Sequence, residues 1–165
     1  MNLPPHSGRR GRPRGELVGG GGGVGAFSSP LATMGQAPAE VQALLREHTT
    51  THQVNELHYL KKLPADPTLA GVPMIVFLNG AGERGPADGS ELDRACMHGV
   101  LKVAMAGPSE GPGLPGTILS GWVILNPQLH VESMGGWADH VDSLKAMIDE
   151  VAAEHSVDTS RIYLT

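Results

Sequence analysis

The residues best placed to do chemistry are Asn79-Gly80-Ala81-Gly82-Glu83-Arg84-Gly85, which follow directly on the apolar run Met74-Ile75-Val76-Phe77-Leu78. Gly80, Gly82 and Gly85 spell G-x-G-x-x-G, the spacing of a dinucleotide-binding turn. That reading requires the loop to open into a helix whose N-terminus receives a pyrophosphate. Here Pro86-Ala87-Asp88-Gly89 intervenes, and the nearest acidic residue at the right distance, Glu110, lies in a Pro/Gly stretch. Nucleotide binding through Gly80–Gly85 therefore remains an alternative, as does a plain turn without chemistry. A third use is an oxyanion loop. Glycines remove Cβ crowding and let backbone N–H groups point at an oxygen that gains negative charge during acyl transfer.

Other chemistry-bearing residues are weaker. Gly107-Pro108-Ser109-Glu110-Gly111 matches the G-x-S-x-G pattern of a serine nucleophile and follows Val100–Ala106, which reads as strand-like. A nucleophile turn must pass straight into a helix. Gly111-Pro112-Gly113-Leu114-Pro115-Gly116 cannot start one, so Ser109 is expected in a surface loop. His48 and His52 have the i, i+4 spacing of a helical metal pair, but Thr49-Thr50-Thr51 between them disfavours helix, and no metal site is expected. Cys96, the sole cysteine, sits beside Leu92 and Ala95 and reads as a buried structural thiol. His140 and His155 flank a long helix, with His155 favouring its C-terminal dipole. Glu83 and Arg84 read as a solvated loop pair.

These residues have to be positioned by the surrounding elements. Pro38 suits a first helical turn, with Val41, Leu44, Leu45 and His48 on one face. Gln53–Leu63 fits either period and is read as strand, followed by a turn at Pro64-Ala65-Asp66-Pro67. Met74–Leu78 and Trp122-Val123-Ile124-Leu125 are continuous apolar runs, the signature of strands buried on both faces. Ser90 is expected to cap a helix over Glu91–His98, with Gly99 as its stop. A helix over about Ala138–His155 carries the stripe Val141, Leu144, Ile148, Val151 and His155. Ser156–Ser160 reads as a turn and Arg161–Thr165 as a final strand. Strands alternating with helices predict an α/β fold with a mostly parallel sheet, whose chemistry lies at the carboxyl ends of the strands.

The strings IVFLNGAGERG, HGVLK, WVILNPQ and VDTSRIYLT, covering about residues 54–165, resemble an α/β-hydrolase of the phospholipase/carboxylesterase or predicted-peptidase type, related to polyester depolymerases and feruloyl esterases. The family carries His where Asn79 stands. The resemblance implies a three-layer α/β-hydrolase-type fragment that stops before the nucleophile elbow. The catalytic Ser, Asp and His would follow Thr165 in that order. It implies that Ala81 and Gly80 belong to the oxyanion-hole loop, shaped by Asn79, Gly82 and Gly85, and that the whole enzyme acts on a small-molecule carboxylic ester or related acyl compound. The chain by itself is then expected to be inactive, with its apolar last strand prone to self-association. A non-catalytic binding module on the same scaffold is the alternative.

Composition bounds these readings. The 165 residues suit one domain or part of one. Residues 1–26 hold four Arg against one Glu, net +3, whereas residues 27–165 hold 8 basic against 16 acidic residues, net −8. The acidic body is a poor nucleic-acid surface, and no nucleic-acid partner is expected. One cysteine excludes an internal disulfide framework and a Cys-rich zinc site, and no cofactor is expected. Residues 1–36, with Arg9-Arg10-Gly11-Arg12 and the glycine tract Gly19–Gly23, read as a disordered tail ahead of a domain at 37–165. Met34 stands near that boundary as a possible start. The twin arginine leaves export as the alternative to a cytoplasmic location, and no apolar run is long enough for a membrane span.

Overall fold

The computed structural model describes residues 39–106 and 120–165. Among the described residues the frame consists of α1 (Ala39–His48), β1 (Thr50–Val54), β2 (Leu57–Lys62), β3 (Val72–Val76), α2 (Gly99–Ala106), β4 (Val123–Pro127), α3 (Val141–Glu154) and β5 (Val157–Leu164). Short 3-10 turns cover Ala81–Glu83, Leu92–Cys96 and Gly136–His140. All described residues fall within the compact unit Met34–Thr165. The expected tail at 1–36, Met34, the Gly107–Gly116 loop and Ser109 lie outside the described residues. Among the described residues no helix is long and apolar enough to cross a membrane.

The sheet is mixed, not mostly parallel. Its order is β1-β2-β4-β3-β5. β1–β2 and β2–β4 pair antiparallel, whereas β3–β4 and β3–β5 pair parallel. The antiparallel half begins with a two-residue hairpin pairing Val54 with Leu57, in which Asn55 takes φ 51°. Asparagine tolerates that left-handed conformation, and a connection so short permits only antiparallel strands. The strand–helix–strand alternation that suggested a parallel sheet starts only at Val72.

β3 and β4 are buried along their whole length, and the one polar residue in them, Asn126, donates to the Ala95 carbonyl at 2.7 Å. One sheet face packs Tyr59, Met74, Val76, Val123 and Leu125 against Leu144, Met147 and Val151 of α3. On the other, Leu60 and Ile124 meet Leu45 of α1 and Leu101, Ala104 and Met105 of α2. The connection through α2 runs from β3 to β4, and the one through α3 runs back past β3 to β5. Opposite directions with helices on opposite faces give both crossovers one handedness, as parallel connections demand. The reversal occurs at β3, and its carboxyl end is where such sheets bind ligands.

Two local expectations are corrected. Val100–Ala106 is helix rather than strand, because Leu101, Ala104 and Met105 recur at i, i+3, i+4 and supply its buried face. Gly99 starts that helix instead of stopping one over 91–98, where only the Leu92–Cys96 turn forms and Ser90 caps nothing. Gly99 has φ +84°, and a Cβ there would lie 2.4 Å from the Phe77 ring. A left-handed glycine can equally end one turn or begin the next, and sequence does not distinguish them. In α3, Val141 is exposed and Met147 takes the buried place expected of it. The turn at Ser156–Ser160 is a bulge inside β5. Val72 pairs with Val157, yet Met74 pairs with Ile162, and Asp158 ties the excess chain to Ser160 and Arg161.

Candidate functional site

The chain leaves β3 still hydrogen-bonded on both sides. Phe77 N–H donates to the Leu125 carbonyl at 2.9 Å, and Leu78 N–H to the Thr165 carbonyl at 2.8 Å. The loop that follows therefore begins between the ends of β4 and β5.

Asn79 is 3% exposed and fixes the loop from within. Its Nδ2 donates to the Gly80 carbonyl at 2.8 Å, and its Oδ1 accepts the Leu129 N–H at 2.9 Å. Its own carbonyl accepts from Trp137 Nε1 at 3.1 Å. The loop is thus anchored by an amide that bridges it to the segment after β4. Gly80 is extended (φ −76°, ψ 173°), and its N–H donates to Glu83 Oε2 at 3.0 Å. Glu83 closes the turn, its own N–H reaching the Gly80 carbonyl at 3.1 Å. Gly80, Ala81 and Gly82 are exposed. The N–H groups of Ala81 and Gly82 lead the 3-10 turn and have no acceptor within it.

Glu83 and Arg84 are not a solvated pair. Glu83 is buried and its second oxygen meets His98 Nδ1 at 2.9 Å. Arg84 Nη1 reaches the Ser133 carbonyl at 3.0 Å. Gly85 joins the segment after β4 as one parallel bridge to His130: its N–H donates to the Leu129 carbonyl and its carbonyl accepts from Val131. Gln128, 2% exposed, donates to the carbonyls of Glu83 at 3.1 Å and Glu91 at 2.8 Å. A Cβ on Gly85 would sit 2.3 Å from Gln128 Oε1. The third glycine of the G-x-G-x-x-G string exists for this close approach.

The other candidates lie apart. Cys96 is buried, accepts from Asn126 Nδ2, and burial pushes its thiol up to about 12. It is inert at neutral pH. His48 ends α1, whereas His52 is in β1, hydrogen-bonded to Thr50 Oγ1 and stacked on Tyr59. They do not form a helical pair. Among the described residues no group of three His, Cys, Asp or Glu side chains is placed to hold a metal. His155 caps α3 and contacts Lys61 Nζ at 3.0 Å, while His140 sits buried at the start of that helix. The loop opens into a three-residue 3-10 turn, so the helix that a pyrophosphate fingerprint needs is not there.

No protein-family model matches the chain, and no curated protein matches it. Among solved structures, a thermostable esterase crystal structure is similar at 21% identity with a TM-score of 0.47, over 73% of this chain and 34% of the esterase. The chain thus spans about a third of that protein's length.

Sequence reasoning located this loop and named Asn79 among the residues that shape it, but it did not find Gln128 or Trp137. Asn79 and Gln128 stand just past the ends of buried strands, whereas Trp137 lies in the Gly136–His140 turn. A buried amide just past an apolar strand must find partners, and that was the available signal.

Proposed function

We propose that this chain supplies the oxyanion loop of a serine hydrolase acting on carboxylic esters or related acyl compounds. In this reading it is a truncated three-layer α/β-hydrolase fragment whose nucleophile, acid and base belong to sequence following Thr165. The observation that carries the reading is the meeting of two strand ends. Thr165 N–H donates to the Val76 carbonyl at 3.0 Å and its carbonyl accepts from Leu78, so chain continuing from β5 would emerge beside Gly80–Gly82. A serine there would attack the acyl carbon, with the Ala81 N–H donating to the developing oxyanion. Gly80 N–H is committed to Glu83, and of the two N–H groups that follow, we take Ala81 as the donor with Gly80 and Gly82 as its frame. The open edge of β5, with Tyr163 and Leu164 half-exposed, would pair with the rest of the enzyme or with a second copy.

Two measurements test this. Sequencing the transcript past Thr165 is expected to show G-x-S-x-G within a few residues. A stop codon at that point, or continuation without the motif, overturns the proposal. In the extended chain, Ala81→Pro removes the donor alone: proline is tolerated at the first position of a helical turn, and the extended Gly80 suits the residue before it. Ester-hydrolysis kcat is expected to fall by roughly 100–1,000-fold. An unchanged kcat rejects Ala81 as the donor.

A further inference from the structure

A second group of residues, outside the Gly80–Gly82 loop, carries the geometry of an activated nucleophile. Ser133 Oγ lies 2.8 Å from His140 Nε2, and His140 Nδ1 lies 2.8 Å from Glu56 Oε1. The three come from separate places. Ser133 is on the segment after β4, His140 at the junction with α3, and Glu56 in the β1–β2 hairpin. We propose that Ser133, His140 and Glu56 form a nucleophile–base–acid site that takes acyl groups from small activated esters.

The hydrogen-bond directions support the roles. Hydrogen bonds from His140 and Ser143 hold the Glu56 carboxyl below its usual range, so Glu56 is ionised at neutral pH and can only accept. The proton between it and the imidazole therefore belongs to His140 Nδ1. In the neutral imidazole Nε2 is then the acceptor, facing Ser133 Oγ, which donates. This is the tautomer a general base needs. The imidazole is held rigidly: its side chain is 10% exposed, and His130 stands edge-on to it at 5.8 Å. Ser143 is itself fixed by Asn55 Nδ2. The carboxylate thus has partners that orient it whether or not His140 is charged.

The surroundings suit an acyl substrate. Ser133 is half-buried, and Met134 beside it is 96% exposed. Val131, two positions before the serine, and Val141, next to His140 in sequence, are also exposed. Arg84 brings a permanent cation to the Ser133 carbonyl. Within the Ser133–Gly136 turn, Gly135 N–H is spent on Asp139 and Gly136 N–H on the Ser133 carbonyl. The Met134 N–H, directly after the nucleophile, has no acceptor among the described residues. It stands where the second donor of a serine hydrolase stands relative to its serine.

The step balances without a cofactor. Ser133 Oγ bonds to the acyl carbon while its proton passes to His140 Nε2. The bond from that carbon to the leaving oxygen then breaks, and the leaving alkoxide takes the proton from Nε2. Water repeats the sequence on the acyl-serine and restores the hydroxyl.

The chain should be incubated with an alkyl fluorophosphonate and the adduct located by peptide mass spectrometry. Formation of the Oγ–P bond expels fluoride, and the serine proton again passes to His140. A single label on Ser133 is expected. It should be absent in Ser133→Ala, at least 100-fold slower in His140→Gln and unchanged in Ser109→Ala. Glu56→Gln, on an exposed hairpin, should lower kcat for p-nitrophenyl butyrate with KM unchanged, since Glu56 positions the base without touching substrate. Absence of label on Ser133 in the wild-type chain overturns the proposal, whatever the variants do. So does labelling at the same rate in a folded His140→Gln protein. Neither outcome bears on the sequence beyond Thr165 or on Ala81, so the two proposals fail separately.

Discussion

The Gly80–Gly82 loop and the Ser133–His140–Glu56 cluster are the two regions we propose for complementary halves of one chemistry. The loop presents backbone donors and no nucleophile of its own; every polar side chain in it is occupied in holding the backbone. Asn79 reaches Gly80 and Leu129, and Glu83 reaches Gly80 and His98. The cluster presents nucleophile, base and acid, with one unpaired amide beside them. The difference shows two ways for a fold to encode a site. Donor geometry is written into main-chain conformation and survives many side-chain changes. A proton relay depends on three side chains from distant positions and fails when any one is lost. The two regions meet along the segment after β4, through the Gly85–His130 bridge, the Arg84–Ser133 bond and the Trp137–Asn79 bond.

The largest expected effect comes from striking that shared segment. Gly85→Ala would drive a methyl into the Gln128 amide, which two hydrogen bonds prevent from moving aside. Overpacking of this kind costs about 3 kcal/mol, and Tm should fall on the order of 10 °C in a circular-dichroism melt. Because Gly85 also bridges to His130, labelling of Ser133 should slow as well. A variant that melts like wild type would mean that Gln128 has room the structure does not show.

Asn79→Ala should separate the regions. It leaves the buried Leu129 N–H without its acceptor and frees the Gly80 carbonyl, at a cost of about 2 kcal/mol. Hydrolysis in the extended chain should suffer, because Ala81 loses its anchored neighbour. Labelling of Ser133 should stay within about twofold of wild type, since Trp137 bonds to the Asn79 backbone carbonyl and alanine keeps it. A parallel loss of both activities would show that the two regions behave as one mechanical unit.

How much of this could be read from sequence follows from the range of the interactions. Met74–Leu78 and Trp122–Leu125 announced buried strands because a continuous apolar run has few other uses; the strands run Val72–Val76 and Val123–Pro127, with Phe77, Leu78 and Trp122 just outside them. Periodicity failed where it was shared between states. Val100–Ala106 satisfies a strand by its β-branched residues, and only burial of Leu101, Ala104 and Met105 on α1 and the Leu92–Cys96 turn decides for helix. The exposed glycine loop was legible because a glycine-rich turn after a buried strand is a local feature. Glu83 looked like a solvated residue because its partner His98 is 15 positions away, and Ser133–His140–Glu56 was invisible because 84 residues separate the base from its acid. His140 was noticed as a helix-flanking residue; the sequence offered no means of choosing Glu56 from the other carboxylates.

The smallest effect expected probes the cluster alone, through acid. The folded protein holds the Glu56 carboxyl below its usual value by hydrogen bonds from His140 and Ser143. A depressed carboxyl contributes stability above its unfolded pKa of about 4.3, and that contribution is lost as pH falls through the folded value. Wild-type stability measured by urea denaturation should therefore decline with a steeper acid limb below about pH 4.3 than that of Glu56→Gln, which has no proton to take up at that position. The difference should be small, because nearly half of the Glu56 side chain faces water and screening weakens its pairing. Identical acid limbs in the two proteins would show that Glu56 is not bound to His140 in solution, leaving the imidazole without the partner that fixes its tautomer. Ser133 would then have no correctly poised base, and the comparison between the two regions would reduce to a donor loop and an ordinary serine.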